Sequence, residues 1–468
     1  MITNDRERRP DKRASQIARS IEADIIRRGW PVGQSMGLEH ELQQRYRASR
    51  SVLREAVRLV EHHQVARMRR GPNGGLLIAE PDAVPATRAV VIYLEYQGTT
   101  ITDVLNARLL LEPLAASLAA ERIDEAGIDR LRAVLDAMLP DEFHVAIAQQ
   151  AKNSVLQLFI DVLMRLTARH AQGSAANSAA VQAVNQMRGA HSDIAAAVTA
   201  GDSARAKTLS ERHVESVTAW LQTNPRRPQA RRRRRALSPE ASHGKLAEGL
   251  AATIRDDIAA DGWPVGSVMG SEIQLLKRYR VSRSVLREAV RLLEYHAVAQ
   301  MRRGPGGGLV VTTPQAQASI DTIALYLQYR QPSREDLRVV REAIEIHNVA
   351  KTVKRHAEPA VQAFLDRYRL AGHETSDNLH KAAAAESSFH TGLAGLAGNP
   401  VLELFLRILI ELFRRRWASP AQRAPSRADV AEIERAHERI VEAIHDGDDS
   451  LARYRTRRHL DAAASWWL

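Results

Sequence analysis

One stretch of this chain occurs twice, and that repeat constrains everything else. Gly29-Trp-Pro-Val-Gly33 returns as Gly262-Trp-Pro-Val-Gly266, and residues 29–76 align with 262–309 without a gap, about 35 of the 48 positions being identical. The longest shared string runs from Ser49 to Leu59 and returns from Ser282 to Leu292. A weaker echo follows, in which Tyr93, Tyr96, Arg108 and Glu112 match Tyr326, Tyr329, Arg341 and Glu345. The register then shifts, the second copy being longer. Beyond the shift Phe143, His144, Asn153, His191, His213 and Trp220 pair with Phe389, His390, Asn399, His437, His459 and Trp466. A repeat of this length is far too long for a solenoid unit and marks a duplicated multi-domain module. The 468 residues leave room for two to four domains.

Within the first copy, Ile17, Ile21, Ile25 and Ile26 have helical spacing, and Gly29 to Gly33 then breaks the chain. A short helix is expected near Glu39–Arg45, then a turn, then a helix capped by Ser49 and running to about His62. Leu53, Ala56, Val57 and Val60 form its apolar stripe, while Arg50, Arg54 and Arg58 lie on another face. The second copy sets Leu286, Ala289, Val290 and Leu293 against Arg283, Arg287 and Arg291. A capped helix after a short helix and a turn suits a recognition helix, whose arginines can bind guanine O6 and N7. The competing reading is a solvated basic face. Met68 to Ile78 and Met301 to Val311 then place apolar residues around an Arg-Arg-Gly-Pro tip, which reads as a two-stranded wing. The glycine run lacks a Gly-Lys-Ser/Thr ending and precedes a strand, so it is no phosphate loop.

The formal charge of +12 favours a polyanionic partner, although Arg226, Arg227 and Arg231 to Arg235 fall in a stretch that reads as a solvated tether. Residues 101–220 and 334–468 are helical in pattern, and a bundle of helices can hold a small-molecule cavity. Three histidines recur there at matched spacing, His144, His191 and His213 answering to His390, His437 and His459. Imidazoles on facing helices can converge on a transition ion, although each alone is more simply a packed side chain. The absence of cysteine excludes disulfides, iron–sulfur clusters and thiolate zinc sites. No apolar run approaches the roughly 18 residues of a membrane span, and the N-terminus has no signal-peptide pattern, so a cytoplasmic protein is expected. Neither a serine nucleophile elbow, a His-Glu-x-x-His run nor paired catalytic acids is present, which argues against an enzyme.

Ser-Arg-Ser-Val-Leu-Arg-Glu-Ala followed by the Arg-Arg-Gly-Pro wing resembles the GntR family of bacterial regulators. The helical halves resemble the effector domain of its FadR subfamily, the FCD domain. That resemblance implies a mainly α fold: winged helix-turn-helix domains at 12–80 and 243–314, all-α FCD-like domains at 84–222 and 318–468, and a basic linker at 223–242. It implies DNA contacts from Ser49, Arg50, Ser51, Arg54 and Arg70, and from Ser282, Arg283, Ser284, Arg287 and Arg303. The family commonly carries an Arg where this chain has His40 and Ile273, so one DNA contact is altered in each copy. Many FCD domains bind a metal through an Asp, a His four residues on and two later histidines. The second half offers Glu386, His390, His437 and His459 for zinc or a similar divalent ion. The first offers His144, His191 and His213 but has Pro140 at the acidic position, with Asp141 and Glu142 too late.

Arg108 and Arg341 lie where FCD helices often direct an Arg at an acidic effector; the competing reading is a helix-surface ion pair with Glu112 or Glu345. The resulting expectation is a transcriptional repressor binding a pseudo-palindromic operator, tuned by a small organic acid or acyl ligand. It would act as a pseudo-dimeric monomer or as a homodimer. The rival readings are a constitutive architectural DNA binder with degenerate effector domains, and a metal-dependent enzyme fused to DNA readers.

Overall fold

The computed structural model describes residues 9–69, 71, 74–137, 139–171, 178–223, 243–302, 304, 306–370, 379–417 and 427–467. Arg70 and Arg303 fall outside the described residues, as does the tether at 224–242.

The first copy opens with α1 (Arg9–Arg27), α2 (Glu39–Arg45), α3 (Arg50–His62) and an antiparallel hairpin of β1 (Ala66–Arg69) and β2 (Gly75–Ile78). Ser49 caps α3, its Oγ accepting from the Val52 N–H at 3.4 Å. The stripe of Leu53, Ala56, Val57 and Val60 is buried with Ile17, Ile21 and Ile25 of α1 and Leu42 of α2. Trp30 has a positive φ of 55° and donates its indole N–H to the Ala79 carbonyl at 2.9 Å, pinning the Gly-Trp-Pro-Val-Gly turn to the end of the hairpin. Ser35 adds one bridge to Leu77 outside the expected two strands. There the backbones approach so closely that a Cβ on Gly75 would lie 2.6 Å from the Gly37 carbonyl oxygen, so only glycine fits.

Seven helices follow: α4 (Ala83–Tyr96), α5 (Ile101–Arg122), α6 (Glu125–Asp136), α7 (Pro140–Gln150), α8 (Ser154–Ala171), α9 (Ser178–Thr199) and α10 (Ser203–Thr223). The second copy repeats the order with α11 (His243–Ala260), α12 (Glu272–Tyr279), α13 (Arg283–Tyr295), β3 (Ala299–Arg302) and β4 (Gly308–Val311). Its bundle is α14 (Ala316–Arg330), α15 (Arg334–Val353), α16 (Pro359–Leu370), α17 (Leu379–Ala397), α18 (Pro400–Trp417), α19 (Arg427–His445) and α20 (Asp449–Trp467). The mainly helical expectation holds. Among the described residues no helix is long and apolar enough to cross a membrane.

The two bundles share one apolar core. Phe159 of α8 stacks on Phe405 of α18 with ring centroids 3.9 Å apart, and Val104, Leu111, Val340 and Ile344 join them from α5 and α15. Asn153 donates to the Asp336 carbonyl and Asn399 to the Asp103 carbonyl, each at 3.0 Å, so the same side chain stitches the halves from both sides. The two smaller units, each of three helices and a hairpin, then cross over. The first rests on α14, where Leu325 joins its core and Trp30 meets Tyr329 at 5.5 Å. The second rests on α4, where Ile92 joins its core and Tyr96 meets Trp263 at 5.6 Å. Each smaller unit therefore packs on the helix that follows the other unit in sequence.

Candidate nucleic-acid interface and candidate metal centre

The basic face of α3 points into solvent. The side chains of Arg50, Arg54 and Arg58 are 66%, 56% and 74% exposed, so their charge is available to a polyanion. They are not loose. Arg54 Nε donates to Glu39 Oε1 at 2.8 Å and Arg50 Nε to the same oxygen at 3.2 Å, so the first carboxylate of α2 aligns both arginines. The two guanidinium groups hold the Glu39 carboxyl below the usual carboxylate range, chiefly through the Arg54 bond. Ser51 Oγ lies 3.2 Å from the Ser49 cap oxygen, placing both hydroxyls at the exposed start of α3.

The second reader keeps the frame and loosens the clamp. Ser282 caps α13 at Val285 (3.3 Å), and Ser284 lies 2.9 Å from it. Arg287 reaches Glu272 at 3.4 Å, whereas Arg283 has no carboxylate partner among the described residues. Here α12 is capped by Ser271, and the next exposed position carries Ile273, 74% exposed. The structure thus brings Ser49, Arg50, Ser51 and Arg54 to one face, and Ser282, Arg283, Ser284 and Arg287 to another. The contribution of Glu39 and Glu272 was missed in the sequence. Their recurrence at the start of the short helix in both copies was the available signal.

Inside the second bundle, four side chains converge where α17, α19 and α20 meet. Glu386 and His390 sit one turn apart on α17, His437 on α19 and His459 on α20, each at most 5% exposed. His390 Nε2 lies 3.1 Å from His459 Nε2 and 3.0 Å from Glu386 Oε1, and His437 Nε2 lies 3.3 Å from His459 Nε2 and 2.9 Å from Glu386 Oε2. The three ring nitrogens and the Glu386 carboxylate all lie within 4.8 Å of one another, so their lone pairs can converge on one point when the inward nitrogens are unprotonated. A divalent cation would accept all of these donors at once, and three nitrogens with one carboxylate oxygen suit zinc or a similar ion.

Behind the cluster, Glu345 contacts His390 Nδ1, which would hold the proton on that nitrogen and aim the Nε2 lone pair inward. Arg341 in turn binds Glu345 through Nε at 2.5 Å and approaches Glu386 at 3.6 Å. Burial disfavours the imidazolium of His390, but Glu345 and Glu386 outweigh it and push the group up to about 9. Burial lowers His437 to about 4 despite Glu386.

The first bundle holds a reduced version. His191 and His213 face each other through Nε2 at 3.2 Å, and His144 completes the group. Glu112 binds His144 Nδ1 at 2.9 Å and accepts from Arg108 Nε at 2.6 Å, reproducing the backing pair. Among the described residues no carboxylate joins the group, because Pro140, the first residue of α7, occupies the position that Glu386 holds on α17. Burial, with His144 nearby, lowers His191 to about 2 and His213 to about 3, so both rings are neutral bases. The Arg108–Glu112 and Arg341–Glu345 pairs form as the competing reading anticipated, but not on a helix surface: their side chains are 3–8% exposed. Glu112 and Glu345 as histidine partners were invisible in the sequence, where they read only as the mates of Arg108 and Arg341.

The FCD domain model matches residues 103–216 and again 336–462, and the model for bacterial regulatory proteins of the gntR family matches residues 246–309. Among curated proteins, the Uxu operon regulator of Haemophilus influenzae is 24% identical over 30% of this chain and 56% of its own length. The chain thus spans a little over half of that relative. The Glc operon transcriptional activator of Escherichia coli is 29% identical over 34% of this chain and 68% of its own. The HTH-type transcriptional repressor NanR of Edwardsiella tarda is 24% identical over 48% and 85%. A solved Streptococcus agalactiae GntR covers 44% of this chain and 99% of its own, at 22% identity and a TM-score of 0.33.

Proposed function

The chain belongs to the FCD domain family and carries a gntR-family reader, and from that premise we propose that it is a two-reader transcriptional repressor acting as a pseudo-dimer within one polypeptide. The observation that carries this reading is the pair of Ser-capped, arginine-bearing helices α3 and α13, held on a single helical core that both halves build. Family members match DNA symmetry with protein symmetry. Here a duplicated module supplies both half-site readers. The winged helix-turn-helix domains would be residues 12–80 and 243–314 and the effector domains 84–222 and 318–468.

In this proposal Arg50, Arg54, Arg283 and Arg287 read base edges, while Ser49, Ser51, Ser282 and Ser284 fix register on phosphates. Arg70 and Arg303 at the wing tips would enter the minor groove. Glu386, His390, His437 and His459 would hold a divalent metal, which would supply a Lewis-acid anchor for an acidic effector. Arg341 and Arg108 would then order the site from behind rather than bind that effector first. Effector binding would change operator affinity only so far as it favours one arrangement of the readers. The Glc relative is named an activator and the NanR relative a repressor, and the repressor sign is the one proposed for this chain.

The test is selection of bound fragments from a genomic library at two salt concentrations, using the wild type and Arg50→Ala/Arg283→Ala. Enrichment of two related half-sites, lost in the double variant, is the expected result. Uniform, salt-sensitive binding unchanged by the substitutions would leave only a non-specific basic protein.

A further inference from the structure

The crossed packing leaves a pocket at the joint between α4 of the first half and the second reader. It has a volume of about 460 Å³ and is lined by Arg88 and Ile92 from α4, Glu248 and Arg255 from α11, and Leu293 and Val298 from the recognition-helix side. Arg255 is the unusual member. It is 8% exposed, and its Nε–H is buried without a hydrogen-bond acceptor. Its Nη2 donates to Asp256 at 3.1 Å, while its Nε stands 3.9 Å from Glu95 Oε2, beyond hydrogen-bond reach, and Arg169 engages the other oxygen of Glu95. A buried cation with an unmet donor is costly, and an anion in the pocket would relieve that cost. Burial and the neighbouring Arg169 both disfavour the charge of Arg255, which agrees with its being under-compensated.

The first copy solves the same position differently. Glu22 stands where the second copy has Arg255, and it bonds His63 at 2.5 Å, so that joint is already satisfied. In the second copy the lining carries two arginines and one glutamate, the His296 ring stands beside them, and the rest of the wall is apolar. Arg88 reaches Glu248 only at 3.8 Å and both are substantially exposed, so freeing Arg88 for a ligand costs little.

We propose that this pocket is a ligand site separate from the histidine clusters, taking a small monocarboxylate with an apolar tail. The carboxylate bridges Arg88 and Arg255, and the tail lies on Ile92, Leu293 and Val298. A ligand there ties the second reader to the first half's α4 and leaves the first reader untouched. That consequence rests on the regulatory reading above; the binding itself does not.

The experiment is calorimetric titration of sodium octanoate into the full chain, without DNA. Saturable binding near one equivalent is expected. Arg255→Glu, which installs the first copy's residue, should weaken it by about tenfold or more, and Arg88→Gln by a smaller factor. Chelator-treated protein should bind octanoate as the untreated protein does. Far-UV circular dichroism checks folding, and the exposed Arg88 gives a variant with little folding risk. Octanoate binding that survives both arginine substitutions, that disappears on chelation, or that is absent at millimolar concentration would overturn the proposal. Fragment selection on the same variants reports DNA reading separately, so failure of one leaves the other visible.

Discussion

The two halves diverge in opposite directions. In the first reader one glutamate, Glu39, clamps both Arg50 and Arg54; in the second, Glu272 meets Arg287 alone and Arg283 stands apart. In the bundles the second half is the more complete, with Glu386 joining three histidines, while among the described residues the first holds three histidines with no acid in the group. The nearly identical helices α3 and α13 thus sit in unequal settings, and outside their shared string the copies differ at positions such as His40 against Ile273 and Glu22 against Arg255.

The largest effect expected from that inequality is on stability. Arg341 sits against two buried carboxylates, Glu345 and Glu386, and Arg108 against one, Glu112. Removing a cation from a buried pair typically costs about 3–5 kcal/mol. In chelator-treated protein Arg341→Met should fall in or above that range, with Arg108→Met clearly milder in urea unfolding. Equal losses would erase the proposed difference between the bundles.

DNA binding comes next. Each bidentate arginine–guanine contact is worth about 1–3 kcal/mol of discrimination. Arg50→Ala/Arg283→Ala should therefore lower operator affinity by roughly a hundredfold or more in fluorescence anisotropy. A loss below tenfold would move recognition away from α3 and α13.

Zinc titration against a chromophoric chelator sharpens the contrast between clusters. One tight equivalent is expected, abolished by Glu386→Gln and untouched by His213→Ala. Glu345→Gln should weaken it by about 10–100-fold, the usual consequence of removing a carboxylate behind a ligating histidine. Two equal equivalents would show that the carboxylate makes no difference.

The smallest effect belongs to the clamp. Exposed ion pairs contribute about 0.2–1 kcal/mol, so Glu39→Ala should change operator affinity by less than about fivefold, and Glu272→Ala by less still. A change of tenfold or more for Glu39→Ala would mean that the clamp, not the arginines alone, sets the reading geometry.

Much of this was legible in the chain. Helical spacing and the Ser49 and Ser282 caps located α3 and α13, since both signals are local. The convergence of His390, His437 and His459 was anticipated from the family resemblance, and Pro140 marked the missing acid. The crossed seating of the readers was not legible. Contacts such as Trp30 with Tyr329 and Tyr96 with Trp263 join residues hundreds of positions or many helices apart, and periodicity carries no record of them. The backing role of Glu112 and Glu345 was hidden for a similar reason. Their spacing to Arg108 and Arg341 explains them fully until another helix supplies the histidine.

The central claim is that one chain places two readers on one operator. Hydroxyl-radical footprinting tests it most directly, on the selected operator, with the wild type, Arg50→Ala and Arg283→Ala and with the mass of each complex measured in parallel. The account predicts one chain per operator, two protected half-sites for the wild type, and loss of protection at a different single half-site in each variant. Two chains per operator, or both half-sites lost together in either variant, would contradict it.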